Sequence, residues 1–207
     1  MQIYIQILTR IVILDNNDSF TYNLVELLRH LGIKNPKVLP HSWSNQIPNA
    51  DAYILSPGAG LPKEKELMQQ FLNTKLNQKP ILGICLGHQA IAEYIGMKLT
   101  NLPNPNHGYC ASINYSNNNL LFKGIKDELK VGLYHSWGIT VDEIKNSPLK
   151  IIADYNNFVM AFQHKYLPIY GLQFHPESFL TEKGHVIMNN WLNSILQSND
   201  KFQKKSH

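Results

Sequence analysis

The sequence predicts an α/β fold: a single domain with a mostly parallel central sheet, helices on both faces and a partly antiparallel extension. Apolar strand-like runs alternate with amphipathic segments as far as about residue 97. Short loops join them, and this alternation is typical of parallel strands covered by crossover helices. From residue 98 onward, short strand-like runs follow one another, which indicates hairpins. A chain of 207 residues can bury one core of this kind.

Four apolar runs and three helical segments make up the alternating half. The predicted strands fall at residues 11–14 and within 36–40, 51–62 and 79–85. The predicted helices fall within residues 16–32, 63–76 and 86–96. Ligands of such sheets bind beyond the carboxyl ends of the strands, so we expect a site in the loops that follow these strands.

The first two helical segments carry apolar residues at helical spacing. In the first, either Asp18 or Ser19 can cap the N-terminus, and Gly32 is expected to end the helix. Its apolar positions are Tyr22, Val25, Leu28 and Leu31. The apolar face of the second carries Leu67, Phe71 and Leu76. We expect both faces to pack against the sheet.

The second half contains strand-like runs and one long helix. The runs lie within residues 98–100, 112–115, 129–137, 150–155, 158–164 and 169–178. A last helix is predicted over about 183–196, and its core positions are Val186, Ile187, Trp191 and Ile195. No repeat or linker divides the chain, so residues 1–207 are predicted as one domain. Its core spans about 11–196, with an N-terminal extension over 1–8 and a polar tail over 197–207.

Composition and charge narrow the classes of function. Hydrophobic residues make up 43% and charged residues 16% of the chain, a globular composition. Much of the net charge of +4 sits in the C-terminal KFQKKSH, so no basic stripe predicts nucleic-acid binding. The apolar N-terminal run is too short to span a bilayer, and we expect no membrane association. Cys85 and Cys110 suggest neither a disulfide framework nor a metal site, and favour a reducing, cytoplasmic environment.

Cys85 lies between Gly83 and Gly87, where an apolar strand gives way to a helix. This is the G-x-nucleophile-x-G pattern of a nucleophile elbow, with cysteine in place of serine. The turn is sharp and strained, and flanking glycines avoid collisions between its neighbours. A helix N-terminus also favours a thiolate through its dipole and free N–H groups. From this stretch alone, a buried core thiol stays open as the alternative.

A base and an orienting carboxylate occur far along the chain, in the segment LQFHPES at 172–178. On an extended strand residues i and i+2 share a face, so His175 and Glu177 are expected to point the same way. Glu177 can then hold the imidazole in one tautomer while His175 exchanges a proton with Cys85. Together with the elbow, this pair predicts a Cys85–His175–Glu177 catalytic triad.

A glycine-rich loop, SPGAG at 56–60, follows a predicted strand. The backbone N–H groups of Gly58, Ala59 and Gly60 can approach a substrate closely, since glycine has no side chain. The N–H of Leu86, directly after the nucleophile, is the expected second donor of an oxyanion hole. Taken alone, this loop is equally consistent with a plain turn.

Four motifs, SPGAG, GICLGHQ, YHSW and FHPES, occur in this order. With them the chain resembles the class I, triad-type glutamine amidotransferases from about residue 11 to residue 196. The segment LDNNDSFTYNLV is similar to the members that serve chorismate-using synthases, anthranilate synthase component II and the small subunit of aminodeoxychorismate synthase. The resemblance implies a flavodoxin-like fold, no metal and no cofactor in this subunit.

The resemblance also implies a reaction and a partner. Cys85 attacks the side-chain amide of glutamine, which releases ammonia and leaves a γ-glutamyl thioester for water to hydrolyse. The family's glutamine-binding positions correspond to Gly58, Gly60, Gln89, Ser136 and Trp137. The ammonia passes to a chorismate-binding synthase subunit, so a hetero-oligomer serving tryptophan or folate biosynthesis is implied.

Three sites depart from the family's usual pattern. Ala59 stands where the loop usually has a proline, whose fixed φ alanine lacks. Leu133 stands where an arginine often precedes YHS, and Tyr109 and Cys110 stand where a lysine is usual. Cys110 has no elbow around it and is interpreted as structural. Two other functions stay open: a stand-alone cysteine hydrolase of γ-glutamyl substrates, and a non-catalytic homologue that only binds a partner.

Overall fold

Strands and helices alternate in the first half of the structure, and strands dominate the second. The computed structural model describes residues 9–77, 79–105 and 107–203, with side chains as far as residue 195. The strands are β1 (Ile11–Asn16), β2 (Lys37–Leu39), β3 (Ala52–Gly58), β4 (Ile81–Ile84), β5 (Thr100–Asn101), β6 (Tyr109–Tyr115), β7 (Leu129–Leu133), β8 (Trp137–Gly138), β9 (Leu149–Tyr155), β10 (Phe158–His164) and β11 (Ile169–Leu172). The α-helices are α1 (Thr21–His30), α2 (Glu66–Lys75), α3 (Leu86–Tyr94), α4 (Val141–Ile144) and α5 (Gly184–Gln203).

Five parallel strands form one half of a nine-stranded sheet. Their order in space is β2-β1-β3-β4-β11, and each neighbouring pair is parallel. Strands β4 and β11 are buried along their whole length, which explains why the sequence shows continuous apolar runs there. The predicted parallel sheet is confirmed.

Helices cover both faces of this sheet, as predicted. On one face, α1 and α5 contribute side chains to a single hydrophobic cluster: Leu24, Val25, Leu28, Ile187, Met188 and Trp191. On the other face, α2 and α3 contribute Leu67, Phe71, Leu72, Ala90 and Ile91. Burial of each larger side chain contributes about 1.5 to 3 kcal/mol to stability. In the described ranges, none of the helices combines the length and apolarity that crossing a bilayer requires.

Beyond β11 the sheet continues with antiparallel strands in the order β10-β9-β6-β7. A tight turn at Asn156 and Asn157, with φ of 47° and 64°, joins β9 to β10, and asparagine tolerates this geometry. The predicted strand over 129–137 is divided, because β7 ends at Leu133 and β8 pairs with β5 in a separate small sheet. This break puts residues 134–136 in a loop.

Three details of the sequence prediction are wrong. Tyr22 is 69% exposed, because Thr21 and Leu24 occupy the buried face of α1. The helix begins after Phe20, with no side-chain cap from Asp18 or Ser19. Helix α5 continues to residue 203 and so includes part of the predicted polar tail. The predicted extension over 1–8 and the end of the tail, 204–207, lie outside the described residues.

Candidate active site

A cavity of about 440 Å³ opens at the edge of the sheet where β1, β3 and β4 end. Loops after these strands and the loop between β7 and β8 supply most of its lining: Asp18, Gly58, Ala59, Gly60, Leu61, Cys85, Gln89, His107, Tyr134, His135, Ser136 and Trp137. This is the edge at which parallel sheets bind ligands. The structure thus brings together the predicted loop, the predicted nucleophile and the predicted glutamine contacts.

Cys85 is the single residue between β4 and α3, and its backbone is strained. Its φ of 49° and ψ of −101° lie outside the regions that residues with a Cβ normally occupy. A Cβ on Gly83 would collide with the carbonyl oxygen of Gly87, and one on Gly87 would collide with that of Leu55. The Cys85 N–H donates to the Leu172 carbonyl oxygen at 2.7 Å, which ties the elbow to β11.

His175 and Glu177 meet in a turn and not on a strand. Strand β11 ends at Leu172, and the Ser178 N–H donates to the His175 carbonyl oxygen at 3.2 Å. Residues 175–178 therefore form a β-turn, with Pro176 at the second position, where proline is favoured. His175 Nδ1 lies 2.8 Å from Glu177 Oε1, and both side chains are almost completely buried. The predicted pairing is present, but the turn produces it and strand alternation does not.

The surroundings of His175 favour its protonated form. Burial acts to lower the pKa of His175, but the negative charge of the nearby Cys85, together with Glu177, raises that pKa well above its ordinary value. Glu177 engages Nδ1. Nε2 is buried with no aligned hydrogen-bond partner among the described residues, which leaves it able to exchange a proton with the sulfur.

Two aromatic rings pack on the His175 imidazole. The ring centroids of Phe20 and Tyr134 lie 5.0 and 4.9 Å from that of His175, both in edge-on geometry, and 4.9 Å from each other. The rings of Phe20 and Tyr134 thus form an aromatic cover on the imidazole. The Tyr134 hydroxyl lies 3.0 Å from the Ser178 hydroxyl, so this cover is joined to the turn that carries His175. These contacts restrict the orientation of the imidazole.

A carboxylate organises the loop that carries Phe20. Asp15 Oδ1 accepts hydrogen bonds from the N–H of Asn17 at 3.0 Å, the N–H of Asp18 at 3.3 Å and the hydroxyl of Thr21 at 2.8 Å. Asp18 Oδ1 in turn accepts from the N–H of Phe20 at 2.8 Å. The polar segment after β1 is thus held by its own side chains, and Asp18 reaches the cavity wall.

The glycine-rich loop and the start of α3 lie against each other beside the cavity. A Cβ on Gly58 would lie 2.9 Å from Leu86 Cδ2, so the end of β3 and the helix N-terminus are in close contact. Leu86 is the first residue of α3, where backbone N–H groups lack intrahelical partners. Its side chain is buried and is not part of the cavity wall, whereas Gly58, Ala59 and Gly60 line it.

The Trp137 carbonyl oxygen fixes two neighbouring side chains. It accepts from Gln89 Nε2 at 2.7 Å and lies 2.9 Å from His135 Nδ1. Since a carbonyl only accepts, His135 carries its proton on Nδ1. Burial lowers the pKa of His135 to about 4, so its Nε2 is an unprotonated acceptor at neutral pH. Ser136 and Trp137 line the cavity beside Gln89.

Sequence reasoning missed several residues of this region. Asp18, Leu61, His107, Tyr134 and His135 line the cavity but are not among the predicted site residues. Gln173 is completely buried and donates from Nε2 to Cys85 Sγ at 3.6 Å. Tyr134, His135 and Gln173 lie inside or beside the YHSW and FHPES motifs, so position within a motif is the signal that could have found them. His107 belongs to the His-Gly pair directly before Tyr109 and Cys110, which is a comparable signal.

Of the three departures from the family pattern, Ala59 lines the cavity, whereas Leu133, Tyr109 and Cys110 are not part of its wall. Leu133 is completely buried in β7, where an apolar side chain packs in the core. Tyr109 is 49% exposed on β6. Cys110, interpreted from sequence as structural, is exposed, and its sulfur lies 3.8 Å from the Leu180 carbonyl oxygen.

The elbow and the buried His175–Glu177 pair place the chain among α/β proteins built for cysteine-dependent acyl transfer. The chain belongs to the class I glutamine amidotransferase family, whose sequence model matches residues 12–195. This confirms the resemblance found in the sequence.

Individual relatives match over nearly the whole chain. A protein assigned as anthranilate synthase component II in Haemophilus influenzae is 39% identical over 185 residues, 88% of this chain and 95% of that protein. Anthranilate synthase component 2 of Lactococcus lactis is 37% identical over 202 residues, 94% of this chain and 100% of that protein. A solved structure from Thermoplasma acidophilum, assigned to GMP synthase, is 28% identical with a TM-score of 0.81, and the match covers 95% of this chain and 98% of that one.

Proposed function

We propose that this chain is the glutamine-hydrolysing subunit of a chorismate-using synthase, with Cys85, His175 and Glu177 as its catalytic triad. The observation that carries the proposal is the 2.8 Å His175–Glu177 contact, buried beside the strained elbow of Cys85. The relatives named as anthranilate synthase component II support the chorismate-using partner. The cavity of about 440 Å³ lies in the size range of small-molecule sites.

In the first step the Cys85 thiolate attacks the side-chain carbonyl carbon of glutamine. The oxygen that becomes negative accepts hydrogen bonds from N–H groups of the Gly58–Gly60 loop and Leu86, which lowers the barrier. The protonated His175 then donates its Nε2 proton to the amide nitrogen. The C–N bond breaks, ammonia leaves and a γ-glutamyl thioester remains on Cys85.

In the second step water hydrolyses the thioester. His175, now neutral, takes a proton from the attacking water, and the second tetrahedral intermediate collapses to the Cys85 thiolate and the γ-carboxylic acid of the product, which loses its proton to solvent as glutamate. Glu177 holds Nδ1 throughout, which keeps Nε2 directed at the reacting atoms. Before the attack by Cys85, the surroundings that raise the pKa of His175 keep it protonated, so that it holds the proton needed by the leaving ammonia.

Polar groups on the cavity wall suit the amino-acid end of glutamine. Gln89 uses the two hydrogen bonds of its Nε2 for Trp137 and Gln173, so its Oε1 is available to accept from the substrate ammonium. Gly58, Gly60, Ser136 and Trp137 supply further main-chain and hydroxyl groups at the wall. The proposal assigns glutamine binding to these residues.

The test is Cys85→Ser in the complex with the synthase subunit. Synthesis from glutamine is expected to fall by several orders of magnitude, whereas synthesis from added ammonium is unchanged, because the partner's site is intact. Cys110→Ser is the matched control and keeps both activities. Loss of both activities in Cys85→Ser, or survival of glutamine-dependent synthesis, contradicts the proposal, and rapid turnover by the isolated chain would favour the stand-alone hydrolase instead.

Exposed aromatic residues flank the cavity and support docking of the partner there. Phe179 is 88% exposed directly after Ser178, which contacts Tyr134, and Tyr22 is 69% exposed two residues after Phe20. Tyr166 is similarly exposed, at 83%, but lies before β11, at the opposite edge of the sheet. Phe179→Ser and Tyr22→Ser are expected to weaken binding of the synthase subunit, and Tyr166→Ser to leave it unchanged, in a titration followed by calorimetry.

The synthase product decides the pathway. Identification of an ortho- or para-aminobenzoate product from the purified complex separates anthranilate from aminodeoxychorismate synthesis. Because the relatives are named as anthranilate synthase components, we favour anthranilate and hence tryptophan biosynthesis in the cytoplasm. A para product would assign the chain to folate biosynthesis and leave the chemistry at Cys85 unchanged.

A further inference from the structure

Gln173 is a buried polar residue that the mechanism above does not use. It directly follows β11, its side chain is completely buried, and its backbone N–H donates to the Met160 carbonyl oxygen at 2.8 Å. Its neighbour Leu172 accepts the hydrogen bond from the Cys85 N–H at 2.7 Å. The end of β11 thus contacts the nucleophile twice, at its backbone through Leu172 and at its sulfur through Gln173 Nε2 at 3.6 Å.

A chain of hydrogen bonds fixes which end of the Gln173 amide faces the sulfur. The Trp137 carbonyl can only accept, so the Gln89 amide must present Nε2 to it, at 2.7 Å. The same Nε2 then donates to Gln173 Oε1 at 3.1 Å. With its oxygen occupied in this way, Gln173 must present its N–H groups to Cys85. Reversal of either amide would set two acceptors or two donors against each other.

We propose that Gln173 is a positioning residue for the nucleophile, whose amide N–H stabilises the Cys85 thiolate and couples it to the glutamine contact Gln89. A buried amide costs free energy unless it is hydrogen-bonded, and this one makes its side-chain bonds to the nucleophile and to Gln89. A donor aimed at a developing or existing anion in a low-dielectric site stabilises it strongly. The inference rests on the proposed role of Cys85.

Coupling through Gln89 follows from the geometry. Any movement of the Gln89 side chain when glutamine binds is passed to Gln173 Oε1 through the 3.1 Å bond, and from there to the sulfur. The nucleophile therefore responds to occupancy of the amino-acid end of the site, although Gln89 itself bonds Trp137 and Gln173 and not the sulfur.

The test measures alkylation of Cys85 by iodoacetamide against pH, in the full-length chain without partner or glutamine. Cys110→Ser serves as background, because Cys110 is exposed and would also react. Gln173→Met keeps the length of the side chain and removes the donor. We expect a roughly 10- to 100-fold lower rate at neutral pH, since a hydrogen bond to a charged group is lost, and a shift of the midpoint of the profile to higher pH.

Two further variants sharpen the result. Gln173→Glu places a carboxylate near the sulfur and is expected to move the midpoint further than Gln173→Met does, because like charges repel. Gln89→Met is expected to move the midpoint in the same direction but by a smaller amount, since this substitution removes the hydrogen bond that orients Gln173. Gln163→Met is the matched control: Gln163 lies on β10 and accepts from Asn119 at 2.8 Å, away from the elbow.

Steady-state kinetics of the complex supply the second readout. Gln173→Met is expected to lower kcat for glutamine hydrolysis with KM changed less than about 3-fold, because the interaction acts on the reacting sulfur. Thermal unfolding checks that each variant is folded, and if Gln173→Met is not, Gln173→Glu and Gln89→Met carry the test. A midpoint that stays at the wild-type value in the folded variants, or that moves equally in Gln163→Met, overturns the inference.

Failure of the inference is distinct from failure of the proposed function. If Cys85→Ser retains glutamine-dependent synthesis, the proposed function is wrong whatever the alkylation profiles show. If Cys85→Ser is inactive and the Gln173 variants keep wild-type profiles and kcat, the triad stands and the role of Gln173 does not.

Discussion

Two connections from a strand to a helix, here called crossings, border the cavity, and different kinds of contact hold each of them in place. Between β4 and α3 there is one residue, Cys85, and the turn is possible because two glycines let main-chain atoms approach closely. Between β1 and α1 there are four residues, 17–20, and the carboxylates of Asp15 and Asp18 hold them through hydrogen bonds. The first crossing depends on the lack of a Cβ at Gly83 and Gly87. The second depends on hydrogen bonds from the backbone to the side chains of Asp15 and Asp18.

This difference between the crossings matches the role of the residue that each one positions. The short crossing holds the nucleophile, whose position must not vary, and main-chain contacts there leave no freedom. The longer crossing carries Phe20, which covers the imidazole, and its side-chain hydrogen bonds are partly open to solvent. A rigid attacking group and a more adjustable cover can therefore occupy one sheet edge.

Breaking the short crossing is expected to have the largest effect. Gly87→Ala places a methyl group against the Leu55 carbonyl oxygen, which belongs to the main chain and cannot rotate away. We expect a loss of about 3 kcal/mol or more in urea unfolding. Gly96→Ala is the control, because a φ of 98° is strained for alanine but a Cβ there would have no described atom outside its chain neighbours within 4 Å, and it is expected to cost about 1 to 2 kcal/mol. Equal losses in the two variants would show that collision is not the cause.

The helix that follows the short crossing adds a pH-dependent effect. Burial lowers the pKa of His88 to about 3, so the folded protein keeps this residue neutral while the unfolded chain protonates it below about pH 6.5. The unfolded state then binds more protons, and stability falls as pH decreases. From pH 6.5 to pH 5 the loss due to His88 is expected to be about 1.5 kcal/mol. His88→Gln should flatten this part of the stability curve, and parallel curves for the two proteins would contradict the assignment.

Breaking the longer crossing is expected to cost less. Asp15→Ala removes three hydrogen bonds that are partly exposed, and a loss of about 1 to 1.5 kcal/mol is expected in urea unfolding. Asp154→Ala removes one surface bond, from Asn114 at 3.2 Å, and is expected to change stability by less than about 0.5 kcal/mol. If the two variants lose the same stability, the Asp15 network does not hold the loop.

The smallest expected effect on stability is that of a substitution in the aromatic cover on His175. Phe20→Leu keeps an apolar side chain but removes an edge-on ring contact with His175 and a tilted one with Tyr134, so a loss of about 0.5 to 1 kcal/mol is expected. Phe179→Leu is the control, because that ring is 88% exposed, and its stability should equal that of the wild type. A lower kcat for Phe20→Leu in glutamine hydrolysis would show that the cover also orients His175, and an unchanged kcat would limit it to packing.

The short crossing is far easier to predict from sequence than the longer one. Glycines at 83 and 87 are a local signal, because only a residue without a Cβ permits such close main-chain contact. The loop after β1 depends on Asp15, and nothing in its spacing shows which backbone groups it will bind. For the same reason the prediction for Tyr22 is wrong, since helical spacing fixes a face only once the start of the helix is known.

Long-range geometry explains the remaining differences. Strand alternation predicts the His175–Glu177 contact, but the cause of that contact is a turn around Pro176. Sequence reasoning misses Gln173 because its importance depends on two partners, Gln89 and Cys85, that lie 84 and 88 residues away in the chain. Pairing over such distances is set by the order of strands in the sheet, which local patterns do not encode.

The carbonyl oxygen of Trp137 has a further consequence for how this protein can be studied and can change. It belongs to the main chain, so every amino acid at position 137 supplies the same oxygen. A mutational scan at this position would therefore measure only the effect of replacing the indole side chain. It would not test the carbonyl oxygen, which orients Gln89 and His135. Chemical synthesis can reach it: an ester in place of the peptide bond between residues 137 and 138 weakens this acceptor. A substitution at position 137 therefore leaves this acceptor in place.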